Sequence, residues 1–449
     1  MWCIILSSSY NNEMDFLFKN ATVLTMQKEC DVRRNTCIGV LNDKISYIGP
    51  YDDTIKAKRT IDCTNKVIIP GLYNCHTHTP MSLLRGYENN KSLHEWLNNA
   101  IFPAENYFRN IKGAMYIGAL LSIADMISSG TVSFSDMYFN MYDIATAVHE
   151  SGMKATLCNP ILCRDDETFD YKKDLSYIET KAVLEDYVKK DGNIKVSAGI
   201  HAEYTSTPCS WSQVIDYAVA HNLDVQIHLS ETEYEHTKCK ERYGLTPTQM
   251  FNNFGLFELK TTAAHGVWLE QQDIDIIREK DVSLVYNPIS NLKLASGVAL
   301  AHEWILSGIN VALGTDGMAS NNSNDLFEEM KIASILQKNK YKDTTIMDAE
   351  LVLKIATING AVAQGRQSNS GKIVEGYDAD IVVLDFNNTR QTACYDYFSN
   401  IVFSGSGRDV DITMCNGKIL YENGEYKTID IEKLLFYARK IIGDFKNNR

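Results

Sequence analysis

The sequence predicts an α/β protein: a (β/α)8 TIM barrel with a small β-sandwich domain formed from the N- and C-terminal segments. Three observations predict it. Eight short apolar runs, each followed by a helix-like stretch, succeed one another through the middle of the chain. The two ends carry short alternating runs separated by turn signals. No Gly-rich phosphate loop follows the first of the eight strands, as an open doubly wound sheet would want. The 449 residues accommodate a barrel of roughly 200–250 residues and a second unit.

In chain order, Met1–Ser9 holds a short apolar run with no basic segment, so a secretory signal is not expected. Met1–Glu13 reads as an unstructured extension or a start assigned too early. Alternating runs follow at Phe16–Phe18, Thr22–Leu24, Ile38–Val40, Ile45–Ile48 and Val67–Ile69, with Asn42-Asp43 as a turn between two of them. The eight barrel strands are expected at Val67–Asn74, Thr131–Asp136, Ala155–Pro160, Lys195–Ile200, Asp224–Leu229, Thr262–Gly266, Ser283–Asn287 and Asn310–Gly314. Gly113–Ser128, Ser210–Ala220 and Asp325–Gln337 are long enough to be crossover helices. Beyond the barrel come Ile381–Leu384 and Ile412–Met414, then Asn416-Gly417, the strongest hairpin dipeptide in the chain. Ile429–Ile442 has the pattern of an amphipathic packing helix. The expected organisation is a β-sandwich domain from 14–68 plus 372–425, a catalytic barrel at 69–371 and a helical end at 426–449.

Composition removes several function classes. Lys and Arg number 44 against 57 Asp and Glu, a net charge of −13, which repels phosphate backbones and argues against nucleic-acid binding. No stretch approaches the ~20 apolar residues a membrane span needs. Eleven scattered cysteines without a C-x-x-C point to reduced thiols and a cytoplasmic location. A homo-oligomer is compatible with this composition, which does not specify it.

The chemistry concentrates at strand ends. The first strand runs into Cys75-His76-Thr77-His78, and side chains two apart on a strand share a face. The fourth ends at His201, the fifth at His228, the sixth at His265, and the eighth at Gly314-Thr315-Asp316. Five of ten histidines thus fall on the rim where barrel enzymes place their sites. His94, His149, His221, His236 and His302 lie in helices or loops and take a surface reading. Imidazoles and a carboxylate on one rim are hard to explain as packing, because unpaired buried polar groups cost several kcal/mol. The pattern points to a divalent metal.

The run Pro70-Gly71-Leu72-Tyr73-Asn74-Cys75-His76-Thr77-His78 resembles the opening motif of the amidohydrolase superfamily. Met81–Gly86, Glu95-Trp96-Leu97, Ile101–Glu105, His201–Thr205, His228–Thr232, Asn287–Gly297 and Gly314–Asn322 are similar to the branch that deaminates 5′-methylthioadenosine and S-adenosylhomocysteine. The resemblance covers about Met14 to Tyr421. It implies one divalent ion held by His76, His78, His228 and Asp316, with zinc the first choice and iron or manganese open. Binuclear relatives carry a bridging lysine where this chain has His201; Lys195 opens that strand. It also implies that Asp316 takes the proton of the attacking water, that Glu231 protonates the ring beside the attacked carbon, and that His265 stabilises the oxyanion. Glu105 would hold the ribose diol, and His201 and Ser320 would contact the base. Arginines after the third strand hold an amino-acid carboxylate in the family. Here Arg164 is the one arginine of Ile161–Asp174, followed by Asp165, Asp166 and Glu167, a departure that weakens the match to a charged homocysteine tail and leaves a shorter 5′-substituent at least as well matched. Where the family often has Cys after the sixth-strand His, this chain has Gly266.

Each residue has a plainer reading. Glu231 heads an acidic run with Glu233 and Glu235; His265 could be a core histidine; Glu105 suits a helix N-terminus; Ser320 suits an N-cap. Met81, Leu84 and Trp96 fit a substrate pocket or ordinary core. The expected activity is hydrolytic deamination of a small adenine nucleoside: 5′-methylthioadenosine, S-adenosylhomocysteine, adenosine or 5′-deoxyadenosine. The alternatives are another aminated or chlorinated heterocycle (guanine, a pterin, cytosine, a triazine) and a non-catalytic metal-binding scaffold.

Overall fold

The computed structural model describes residues 13–163 and 168–448. The expected extension Met1–Glu13, apart from Glu13 itself, and Arg164 with its three following acids lie outside the described residues. Eight parallel strands form one sheet: Leu72–Thr77, Thr131–Met137, Lys154–Cys158, Ile194–Ile200, Asp224–Leu229, Thr261–His265, Ser283–Tyr286 and Val311–Leu313. They are almost wholly buried, as parallel strands covered on both faces must be. The first and last strands close the ring through side-chain and backbone hydrogen bonds. Asn74 donates to Thr315 Oγ1 (2.7 Å) and accepts from the Thr315 N–H (3.1 Å), and the Asp316 N–H donates to the His76 carbonyl (2.9 Å). These contacts belong to the site as well as to the seam, because they fix His76 relative to Asp316.

Nine strands form a separate mixed sheet in which Ile381–Asp385 pairs antiparallel with Lys66–Pro70, joining the N-terminal half to the C-terminal half. Phe18, Val23, Ile38 and Ile68 from one half pack with Ile381, Val383 and Ile412 from the other. Each such buried side chain is worth about 1.5–3 kcal/mol. Asn416 and Gly417 both take positive φ (46° and 72°) between Val410–Cys415 and Lys418–Glu422, the tight hairpin expected of that dipeptide.

One expected strand is corrected. Val67–Asn74 is two strands, because Gly71 separates Lys66–Pro70 of the mixed sheet from Leu72–Thr77 of the barrel. A Cβ on Gly71 would meet Val132 Cγ2 at 2.3 Å, so the chain turns there only with glycine. An unbroken apolar run carries no mark of a change of sheet. The runs at Phe16–Phe18 and Thr22–Leu24 are conversely one strand, Met14–Leu24, with irregular pairing between them. The last helix is Ile431–Asn447, longer than expected, and Phe445 packs on Phe108 (4.7 Å between centroids). No single helix among the described residues is long and apolar enough to cross a membrane.

Candidate metal centre and catalytic site

His76, His78, His228 and His265 come together at the carboxyl ends of strands one, five and six, with ring centroids 4.8–5.4 Å apart. Asp316 arrives from strand eight, its Oδ1 3.2 Å from His78 Nε2 and 3.5 Å from His76 Nε2. Three residues here have left-handed backbone: Ser230 (φ 47°), His265 (φ 77°) and Asp316 (φ 61°). Such conformations cost about 1–3 kcal/mol each and persist where surrounding contacts over-determine them. They turn the chain off each strand end and bring His265, Asp316 and, one residue past Ser230, Glu231 onto the wall of one cavity.

Hydrogen bonding fixes the proton positions. His78 Nδ1 lies 2.7 Å from the Met137 carbonyl and His228 Nδ1 2.7 Å from the His201 carbonyl. A carbonyl only accepts, so both Nδ1 atoms carry a proton, and in the neutral ring each Nε2 then presents a lone pair. Those two Nε2 atoms face each other at 3.3 Å. His76 Nε2 is buried without a hydrogen-bond partner. Facing lone pairs and a ring nitrogen without a hydrogen bond are costly in an apolar interior unless a cation sits among them. His76, His78 and Asp316 offer atoms within 4.8 Å of one another, as do His76, His228 and His265. The donor set therefore fits a divalent metal ion. Burial, with further help from the neighbouring imidazoles, holds His228 well below its ordinary pKa, which keeps it a neutral donor. Burial alone would raise Asp316, yet the flanking His76 and His78 bring it well below the carboxylate range.

His265 differs from the other three. The amide nitrogens of Asn291 (3.0 Å) and Asn287 (3.4 Å) are turned to its Nδ1, and in that orientation the ring proton sits on Nε2. Burial lowers its pKa to about 3, so the ring is neutral. Its Nε2 lies 4.0 Å from Glu231 Oε2. Glu231 is buried, touches Ser296 Oγ at 3.5 Å, and is raised well above its ordinary pKa by burial first and then by Asp316 and Glu235.

One cavity carries His78, Glu105, His201, His228, Glu231, His265, Asp316 and Ser320 on its walls. Glu105 is buried and accepts from the Tyr138 hydroxyl at 2.7 Å; burial pushes it up to about 7. His201 leans on Thr205 Oγ1 (2.9 Å). Ser320 does not cap a helix: the helix Leu326–Tyr341 is capped by Asp325, and the Ser320 hydroxyl lies 2.9 Å from Asp316 Oδ2 beside that of Ser290 (2.6 Å). Met81 and Trp96 are on the cavity wall, whereas Leu84 is core. Sequence reasoning missed Tyr138, Ser290, Asn287 and Asn291. Tyr138 stands just beyond the second strand, so the strand-end rule that picked the histidines would have found it.

Residues 67–420 match the amidohydrolase family. A 5-methylthioadenosine/S-adenosylhomocysteine deaminase of Acetivibrio thermocellus is 37% identical over 95% of this chain and 99% of its own. A 5′-deoxyadenosine deaminase of Methanosarcina acetivorans is 39% identical over 95% of this chain and 97% of its own. The crystal structure of an adenosine deaminase from Xanthomonas campestris with bound zinc is similar at TM-score 0.90 and 29% identity, covering 97% of this chain and 99% of that one.

Proposed function

This chain belongs to the amidohydrolase family, and on that footing we propose that it is a metal-dependent deaminase of adenine nucleosides, releasing ammonia and the hypoxanthine nucleoside. The observation that carries the reading is a buried Glu231 beside a cluster of facing imidazole nitrogens in one cavity. His76, His78, His228 and Asp316 would hold one ion, zinc before iron or manganese. The ion's Lewis acidity lowers the pKa of a water toward ~7.

The chain's own residues supply the rest. Asp316, steadied by Ser290 and Ser320, accepts the proton of the attacking water and returns it to the leaving amine. Glu231 gives its proton to the ring nitrogen next to the attacked carbon, which draws electron density from that carbon, and regains a proton from the new hydroxyl as the carbonyl forms and ammonia leaves. The His265 Nε2–H donates to the developing oxyanion. Glu105 accepts from the two ribose hydroxyls, its second oxygen free of the Tyr138 contact, and His201 faces the base. Among the described residues no lysine or arginine lines the cavity, while Met81, Leu93, Trp96, Leu97 and Phe102 do. That lining supports an uncharged 5′-substituent, as in 5′-methylthioadenosine or 5′-deoxyadenosine, over a homocysteine tail.

The test is a panel of adenosine, 5′-deoxyadenosine, 5′-methylthioadenosine, S-adenosylhomocysteine and free aminated bases, given to metal-replete protein. Ammonia release and the ultraviolet change are followed. One ammonia per nucleoside and little turnover of free bases is the expected result. A metal-replete protein that releases ammonia from none of the nucleosides overturns the proposal.

A further inference from the structure

Strand five ends at Leu229, and two residues later Glu231 stands in the cavity. The turn between them is left-handed at Ser230 (φ 47°) and buried. Its two N–H groups point away from any strand or helix partner and toward a single side chain. The Ser230 N–H donates to Glu235 Oε1 at 3.0 Å and the Glu231 N–H donates to Glu235 Oε2 at 2.8 Å. Glu235 is itself 1% exposed, on the first turn of the helix Glu233–Tyr243. In a capping box the third helical residue reaches back to the cap's own N–H. Here the cap is Thr232, whose hydroxyl accepts from the Glu235 N–H (3.2 Å). The Glu235 carboxylate passes it and clamps both residues before it. A carboxylate held by two backbone N–H groups is a rigid fork, and a tilt of that fork turns Cα of Glu231 with it.

We propose that Glu235 is a positioning residue for Glu231: its two-pronged grip on the Ser230 and Glu231 amides aims the Glu231 carboxyl at the reacting ring. The acidic run that makes Glu231, Glu233 and Glu235 look alike in sequence is thereby divided. Glu231 and Glu235 are buried and Glu233 is exposed. A carboxamide at 235 keeps one acceptor but sets an NH2 against the second N–H, so one prong breaks and a donor faces a donor. An aspartate keeps the charge near the helix N-terminus but is one methylene too short to reach both amides.

The inference rests on the deaminase reading, and the experiment separates the two. Wild type, Glu235→Gln, Glu235→Asp, Glu231→Gln and the Glu231→Gln/Glu235→Gln pair are purified, with bound metal, melting temperature, kcat and KM measured for a nucleoside substrate. If 235 acts through 231, Glu235→Gln and Glu235→Asp lower kcat by at least about tenfold, KM stays within about threefold, and metal content is that of wild type. In the double variant the second substitution then costs no more than about twofold beyond Glu231→Gln, because an aimed group that is gone needs no aiming. A merely structural role predicts losses that multiply, and multiplying losses would overturn the inference. So would wild-type kcat in Glu235→Gln. Should Glu235→Gln fail to fold, Glu235→Asp carries the same comparison with the charge retained. A wild type that releases no ammonia from any nucleoside overturns both readings; an active wild type with an unimpaired Glu235→Asp overturns this one alone.

Discussion

At the amino-terminal end of the barrel, Lys154 opens the third strand and buries its ammonium against Asp380 Oδ2 (2.6 Å), Asp378 Oδ2 (2.7 Å) and Ser370 Oγ (3.3 Å). Asp378 Oδ1 takes Lys44, and Asp380 Oδ1 takes the Asn416 N–H at 2.9 Å. The lysine's three donors and all four carboxylate oxygens are thus used, and the cluster joins the barrel to the mixed sheet. At the opposite rim polar groups are as deeply buried but left short of partners. His76 Nε2 makes no hydrogen bond and has only Asp316 Oδ1 at 3.5 Å, and the Glu231 carboxyl has contacts only of 3.5 and 4.0 Å among those described. A buried polar group that the chain itself satisfies serves the fold; one left unsatisfied is held ready for something the chain does not contain. The difference separates a structural ionic cluster from a site without reference to any relative.

The contrast breaks if metal has no part in the rim. His228→Ala should reduce bound metal to near zero and turnover by more than about 10³-fold, since both hydroxide supply and geometry go. Metal content that matches wild type would contradict the ligand role. Glu231→Gln should keep the metal and lose about 10²–10⁴ in kcat, the range of a positioned proton donor. Normal turnover would end its role as the acid.

The base sharpens the contrast from the other side. Lys154→Met leaves Asp378 and Asp380 buried without their shared cation, which should destabilise the fold by about 3–5 kcal/mol. Urea unfolding reads that loss, while kcat per folded, metal-replete molecule should stay within twofold. A Lys154→Met protein as stable as wild type would show that the cluster contributes nothing to the fold. A smaller effect is expected at Glu105→Gln: about ten- to a hundredfold in kcat/KM for nucleosides, with little change for any free base turned over, because a free base has no diol. Equal losses on both would move Glu105 from ribose recognition to general support of the cavity.

The barrel and rim are legible in the sequence because both rest on local pattern. Apolar runs of strand length end at His201, His228, His265 and Asp316, and the strand-end rule needs no knowledge of what lies across the ring. What escapes is long-range pairing. Lys154 finds Asp378 and Asp380 from 224 and 226 residues away, and nothing periodic marks them. Tyr138 meets Glu105, and Asn287 and Asn291 turn the His265 ring, through contacts between elements distant in sequence. The break at Gly71 is invisible for a related reason: only the approach of Val132 shows that two sheets share that run. Glu235 is hidden in another way, since identical letters in an acidic run take different environments once the chain turns at Ser230.

The smallest effect is a difference of sign in pH dependence. Burial pushes both Glu105 and Glu235 up to about 7. Between the unfolded value near 4.5 and about 7 the folded state therefore holds more protons than the unfolded chain. Stability from these groups falls as pH rises through that window. At the base, burial would raise Asp378, but Lys154 and Lys44 bring it below its ordinary 3.8. Its contribution is complete above 3.8 and is lost as pH falls through the lower folded value. Urea titrations from pH 3 to 8 should then divide, taking pH 3–8 as roughly the window these values define. Glu235→Gln should flatten the decline between about pH 5 and 7 by up to about 1.4 kcal/mol per pH unit, the slope of one proton. Asp378→Asn should leave that decline alone and flatten the acid limb below about pH 4. If Glu235→Gln left the decline unchanged, the rim carboxylate would be ionised in the folded protein at neutral pH. The rim would then differ from the base in partners alone and not in protonation.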